Sequence, residues 1–292
     1  MPLDEGRIPF RGYETWYRSL GDGPGLPLLC LHGGPGSTHV GLTVLDPLAD
    51  ERRVVLYDQL GSGNSSKPSD PSLWTVDLFL AELATVREAL GLDRMHLLGH
   101  SWGGMLAQEY ALTQPEGLAS LVLSSTLSSS LLWREESLRL RADLPAGIRG
   151  PLDAHEAAGT TDDPEYERAV FEFLHRHLCR LDPWPPIVEE MVRSTNLEVY
   201  NTMWGPSEAH PTGVLAGWDV TPRLGEIRVP ALVLCGRYDE ATPHQAETIA
   251  AALPDAELVV FEESAHLAPV EETERYLATV RSFLARVESS AI

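Results

Sequence analysis

The sequence predicts an α/β protein with a mostly parallel central sheet flanked by helices and a helical block inserted in its second half. Three observations predict it. Short apolar runs ended by glycine or polar residues recur along the chain. Stretches with helical spacing separate several of them. A long middle segment carries no strand-like apolar run at all. Strands alternating with helices imply a parallel sheet, and such sheets do their chemistry beyond the carboxyl ends of the strands.

Taken in order, LPLLCLHGG (26–34) reads as a buried strand closed by glycines, and RRVVLYDQLGSG (52–63) repeats that pattern. Residues 76–90 place Leu80, Leu83, Val86 and Leu90 at helical spacing. RMHLLG (94–99) is the next strand, 102–113 the next helix, and LASLVLSST (118–126) the strand after it. Residues 127–215 are charged and helix-like, with the proline-rich DPWPP at 182–186. VPALVLCG (229–236) and AELVVFEE (256–263) resume the strands, and 273–287 reads as a closing helix. The expected division is a core of residues 1–126 and 216–292, with a helical cap over 127–215.

The chain has 292 residues, enough for a sizeable core. Its 43 acidic and 22 basic residues give a formal charge of −21. That charge repels phosphate backbones and anionic membrane surfaces, so neither nucleic acid nor membrane is an expected partner. Cys30, Cys179 and Cys235 are odd in number and form no C-x-x-C, which argues against a disulfide framework or a zinc site. The opening MPLDEGRIPF lacks a basic segment followed by an apolar one, and no apolar run approaches the roughly 20 residues of a membrane helix. A cytoplasmic enzyme without metal or organic cofactor is the expectation.

The chemistry centres on GHSWGG (99–104). Ser101 follows a strand and precedes a helix, the setting of a nucleophile elbow. The turn is tight enough that Gly99 and Gly103 must lack side chains. The alternative is a serine that merely caps the helix. A serine nucleophile needs a base, and the base an orienting acid. On this kind of sheet the chain order is serine, acid, histidine. Asp239 in GRYDEATP and His266 in ESAHLAP both follow strands and would reach the same sheet edge. Glu240 is the rival acid and Asp58 a weaker one. His100 is expected to point away from the serine, and His155, His175, His177 and His210 to be surface groups of the insertion. HGGPG (32–36) supplies a glycine turn for an oxyanion hole, with N–H donors from Trp102 and from Gly34, or failing that Gly33.

LHGGPG, YDQLGSGNSS, LLGHSWGGMLAQEYA, GRYDEATP and SAHLAPVEE together resemble the α/β-hydrolase fold and, within it, the proline iminopeptidase and L-amino acid amidase family. The resemblance runs from about residue 27 to 285. It implies release of an N-terminal amino acid, often proline, from a peptide or aminoacyl amide with a free α-amino group, and it implies a cap domain. It also implies carboxylates that bind the amino group. Glu240 beside the triad acid and Glu208 in WGPSEAH match by position. Leu60 and Asn64 stand where the family commonly has arginines, which resembles the broader aminopeptidases and amidases. Removal of an aminoacyl group from a small-molecule intermediate stays open, as does an esterase on the same fold. A ligand-binding protein on a hydrolase scaffold would have no reason to hold all three triad groups. Trp204 and Trp218 flank Glu208 and either line a pocket for the first side chain or fill the core.

Overall fold

The computed structural model describes residues 2–206 and 211–290. Strands β1 (Leu3–Phe10), β2 (Tyr13–Leu20) and β3 (Gly25–Leu31) open the chain, followed by a 3-10 stretch at His39–Asp50 and by β4 (Arg52–Asp58). Helix α1 (Val76–Ala89), β5 (Met95–His100), α2 (Trp102–Leu112) and β6 (Leu118–Ser124) come next. Among the described residues, five α-helices precede the next strand: α3 (Ser130–Ala142), α4 (Ala146–Ala158), α5 (Pro164–His177), α6 (Pro186–Arg193) and α7 (Leu197–Met203). The chain ends with β7 (Ala231–Gly236), α8 (Pro243–Ala252), β8 (Ala256–Phe261), α9 (Ala268–Glu271) and α10 (Thr273–Ser290).

The eight strands form one sheet in the order β1-β2-β4-β3-β5-β6-β7-β8. From β4 to β8 all pairings are parallel, whereas β1–β2 and β2–β4 are antiparallel. The β1–β2 hairpin was not expected from the sequence. Its first strand is rich in charge and holds Pro9, and it buries only Ile8 and Phe10. Such an edge strand lacks the continuous apolar run that marked the others. The 3-10 stretch and α8 were also not anticipated.

The central strands are apolar on both faces because both faces are covered. Leu29, Leu31, Val55, Tyr57, Leu97 and Val233 point into a core shared with α1, α2 and α8. Alternate residues, among them Leu28, Cys30, Val54, Leu98 and Leu234, point into a second core shared with the 3-10 stretch and α10. The three cysteines are buried free thiols.

Within the inserted helices, α4 and α5 pack around a small core of their own that contains Leu152, Tyr166, Ala169 and Phe173. Helices α3 and α7 are different. Trp133, Val199, Met203 and Trp204 join the larger core beneath them, which ties the helical layer to the carboxyl edge of the sheet.

Candidate active site

Ser101 sits between β5 and α2 with φ 56° and ψ −121°, a conformation in which L-residues are strained. Several backbone bonds hold it there. Its N–H donates to the Ser124 carbonyl at 3.0 Å, and its own carbonyl accepts from Thr126 Oγ1 at 2.7 Å and from the Gly104 N–H at 2.8 Å. The glycines are steric requirements. A Cβ on Gly99 would lie 2.2 Å from the Gly103 carbonyl oxygen, and one on Gly103 would lie 2.2 Å from the Leu31 oxygen. The Ser101 side chain makes no cap hydrogen bond to α2, so its hydroxyl is not spent on the helix.

The β7 and β8 ends deliver the other two groups. His266 Nδ1 lies 2.7 Å from Asp239 Oδ1, and both side chains are buried. The carboxylate is further held by N–H donors, from Ala241 to Oδ1 at 2.7 Å and from Gly236 to Oδ2 at 3.3 Å. An acid fixed this way orients the imidazole and sets its tautomer. The rival acids do not make this bond. Glu240 Oε1 is 3.9 Å from the same nitrogen. Asp58 is engaged by the His39 ring at 2.9 Å and by the Asn64 N–H.

The glycine turn after β3 lies against the serine, since a Cβ on Gly33 would be 3.0 Å from Ser101 Cβ. Gly34 has φ +105°, a region that favours glycine. Trp102 opens α2, where backbone N–H groups have no intrahelical partner. Gln59, buried after β4, joins these two pieces. Its Nε2 donates to the His32 carbonyl at 3.1 Å, while its Oε1 accepts from the Trp102 indole at 2.8 Å. Its N–H donates to His32 Nε2 at 3.0 Å, so His32 carries its proton on Nδ1, which donates to the Gly33 carbonyl at 2.9 Å. Burial lowers the His32 pKa and keeps the ring neutral.

His100 does not point away, contrary to the sequence expectation. It lines the same cavity as Ser101, and its ring meets that of His266 edge-on with centroids 4.9 Å apart. Its Nε2 donates to the His266 carbonyl at 3.0 Å. Burial, with the neighbouring His266 second, lowers its pKa to about 4. His177 is half-buried. Its carbonyl accepts the N–H groups of both Glu240 and His266, and its Nδ1 meets the Tyr238 carbonyl at 2.9 Å. No sequence signal marks a residue that acts through its main chain.

Glu240 is buried. Two residues on, Thr242 Oγ1 donates to Glu136 Oε2 of α3 at 2.6 Å, tying the inserted helices to the acid loop. Glu208 lies outside the described residues, as does His210; Pro206, two residues before Glu208, lines the cavity. Trp204 is a correction. It is 3% exposed, meets Trp133 edge-to-face at 5.3 Å, and belongs to the main core, with no place in the cavity wall. Trp218 donates its indole N–H to Glu109 at 2.7 Å.

Ser101, His266, Gly33 and Gly34 open onto one cavity of about 220 Å³. Helices α5, α6 and α7 supply most of its far wall. Among the described residues no group of three or more His, Cys, Asp and Glu is arranged to hold a metal, and no helix is long and apolar enough to cross a membrane.

Residues 27–273 match the family model for the alpha/beta hydrolase fold. The proline iminopeptidase of Heyndrickxia coagulans is 42% identical over 280 residues, covering 96% of this chain and 95% of the relative. The crystal structure of a proline iminopeptidase from Mycobacterium smegmatis superposes with a TM-score of 0.92 at 40% identity, covering 99% of this chain and 100% of the other. The crystal structure of VinJ superposes with a TM-score of 0.94 at 40% identity, covering 97% and 99%.

Proposed function

The chain belongs to the α/β hydrolases and, within them, to the proline iminopeptidase family, and from that premise we propose that it is a serine hydrolase that releases an N-terminal amino acid from a peptide or aminoacyl amide through an aminoacyl-enzyme. One observation carries the reading. His266, paired with Asp239 at 2.7 Å, shares a cavity with a strained serine whose hydroxyl is not used as a helix cap. A ligand-binding reading has no use for that arrangement, and the family is one of enzymes.

The steps follow from the chemistry. His266, oriented by Asp239 at Nδ1, takes the Ser101 proton at Nε2 while Oγ attacks the carbonyl carbon of the first residue. The N–H groups of Trp102 and Gly34 receive the oxyanion. His266 returns the proton to the departing nitrogen as the C–N bond breaks. Water, deprotonated by the same histidine, then attacks the ester, and the free amino acid leaves with Ser101 restored. Glu240 and Glu208 hold the substrate ammonium, since a cation taken out of water needs an anionic partner. The helices of 127–215 act as the cap that closes over the site. Leu60 and Asn64, in place of arginines, favour a first residue not restricted to proline.

The test is hydrolysis of aminoacyl p-nitroanilides of Pro, Ala, Leu and Phe, each free and N-acetylated, with Ser101→Ala, Glu208→Gln and Glu240→Gln alongside. Cleavage of free forms only, lost in Ser101→Ala and weakened through KM in the glutamine variants, is the expected result. Equal cleavage of acetylated forms would mean that Glu208 and Glu240 are not an ammonium clamp, and activity on simple esters alone would replace this reading with an esterase.

A further inference from the structure

The loop that carries His266 is held from outside itself. Residues 262–267 belong to neither strand nor helix, so no regular backbone pairing of their own fixes them. Three consecutive N–H groups in the loop nonetheless have partners. Ala265 donates to Glu271 Oε2 at 2.8 Å, His266 to the His177 carbonyl at 3.2 Å, and Leu267 to the Leu178 carbonyl at 3.0 Å. Two of these acceptors are main-chain groups at the end of α5. The third is a side chain, and its other oxygen, Oε1, accepts the N–H of Arg180 at 2.7 Å. Glu271 thus completes a seam between the His266 loop and residues 177–180.

Ala265 has little room to drift. It is buried, and a Cβ on Gly236 would lie 2.1 Å from its carbonyl oxygen. The Gly236 N–H in turn donates to Asp239 Oδ2. The residue before His266 therefore meets Glu271 through its N–H and the start of the Asp239 turn on its carbonyl side. Glu272 holds the two residues before that, its Oε2 accepting from the Glu263 N–H at 3.1 Å and from Ser264 Oγ at 2.6 Å. Glu271 is not among the residues lining the cavity, so its influence on the reaction runs through the loop.

We infer that Glu271 is a positioning residue for His266: by accepting the Ala265 and Arg180 N–H groups, its carboxylate seats the His266 loop against the end of α5 and keeps the ring in register with Asp239. The inference rests on the serine-hydrolase reading above. A general base displaced by ~1 Å can cost about 100-fold in rate, and the His266–Asp239 contact is 2.7 Å. An ionised carboxylate has lone pairs for both N–H donors, whereas an amide offers one oxygen and an apolar side chain none.

The experiment follows the rate at which a fluorophosphonate labels Ser101, which needs the triad but no particular substrate. Wild type is compared with Glu271→Leu, Glu271→Asp and Glu271→Gln, with Glu262→Gln, an exposed carboxylate of the same loop, as the control and Ser101→Ala as the blank. The expected result is a maximal labelling rate about 10- to 100-fold lower in Glu271→Leu, with the half-saturating reagent concentration little changed. Glu271→Asp, one methylene short of reaching both N–H groups, should lose less, and it decides the matter if the leucine variant does not fold. Glu271→Gln should recover most of the rate, because its amide oxygen still accepts the Ala265 N–H. Proton NMR gives a second readout. The low-field resonance of His266 Nδ1–H, identified by its absence in Asp239→Asn, should shift or broaden in Glu271→Leu and Glu271→Asp and stay in place in Glu271→Gln. A lower melting temperature with labelling rate and resonance unmoved overturns the inference, as does an equal loss in Glu262→Gln. Wild type unlabelled at Ser101 removes the serine-hydrolase reading and the inference with it.

Discussion

His100, the residue before the serine, donates from Nε2 to the main-chain carbonyl of His266 at 3.0 Å. The turn at Ser101 and the loop at His266, 166 residues apart in sequence, are thereby linked directly. The bond needs a neutral imidazole with its proton on Nε2, and burial supplies that state.

The first prediction concerns acid stability. His100 titrates at about 4 in the folded chain against 6.5 when exposed. Between those values the unfolded chain binds the proton and the folded chain does not. Stability is therefore whole above pH 6.5 and is lost as pH falls toward 4, by about 3 kcal/mol. Thermal melts between pH 7.5 and 4 should show a steeper decline for wild type than for His100→Gln, whose amide can still donate to the carbonyl. Identical slopes would count against it.

Asp239→Asn should keep the fold and cost about 10³- to 10⁴-fold in kcat. The amide can present an N–H where His266 Nδ1 now donates, which reverses the ring's tautomer. Single-turnover acylation measures this directly, and a loss below tenfold would remove Asp239 from the proposed triad.

Gln59→Leu should leave the His32 carbonyl and the Trp102 indole N–H without their partner, at about 1–3 kcal/mol for each buried group. Both neighbours adjoin the proposed oxyanion donors. The expected signature is therefore a fall in kcat of about 10- to 100-fold with KM little changed, and weaker binding of an aminoacyl aldehyde than of substrate. A change confined to melting temperature would assign Gln59 to stability alone.

Gly103→Ala places a Cβ 2.2 Å from the Leu31 carbonyl oxygen, which belongs to a buried strand and has nowhere to move. A loss on the order of 4 kcal/mol is expected, read as a lower urea midpoint. An unchanged midpoint would mean that the elbow is looser than described.

The serine was readable because the elbow is local. Two glycines, a strand before and a helix after suffice to define it. Asp239 and His266 were readable because a parallel sheet gathers its strand ends at one edge, so a residue just past a strand is placed by chain order alone. The hairpin of β1 and β2 escaped because Pro9 and the charges around it hide the alternation of Ile8 and Phe10. Trp204 escaped for another reason: an aromatic residue two positions from a pocket-lining proline reads the same whether it faces cavity or core.

By itself, then, the sequence determined the parallel part of the sheet, the chain order that brings Ser101, Asp239 and His266 to its strand ends, and the glycines that let the turns close. These depend on short-range sterics and on apolar periodicity, which are written in consecutive residues. The tertiary structure alone decided that Gln59 bridges His32 to Trp102, that His177 lends its carbonyl to the base loop, and that Trp204 packs on Trp133. Each of those is a contact between segments whose separation in sequence carries no signal, made only when buried donors and surfaces must find partners in a closed interior.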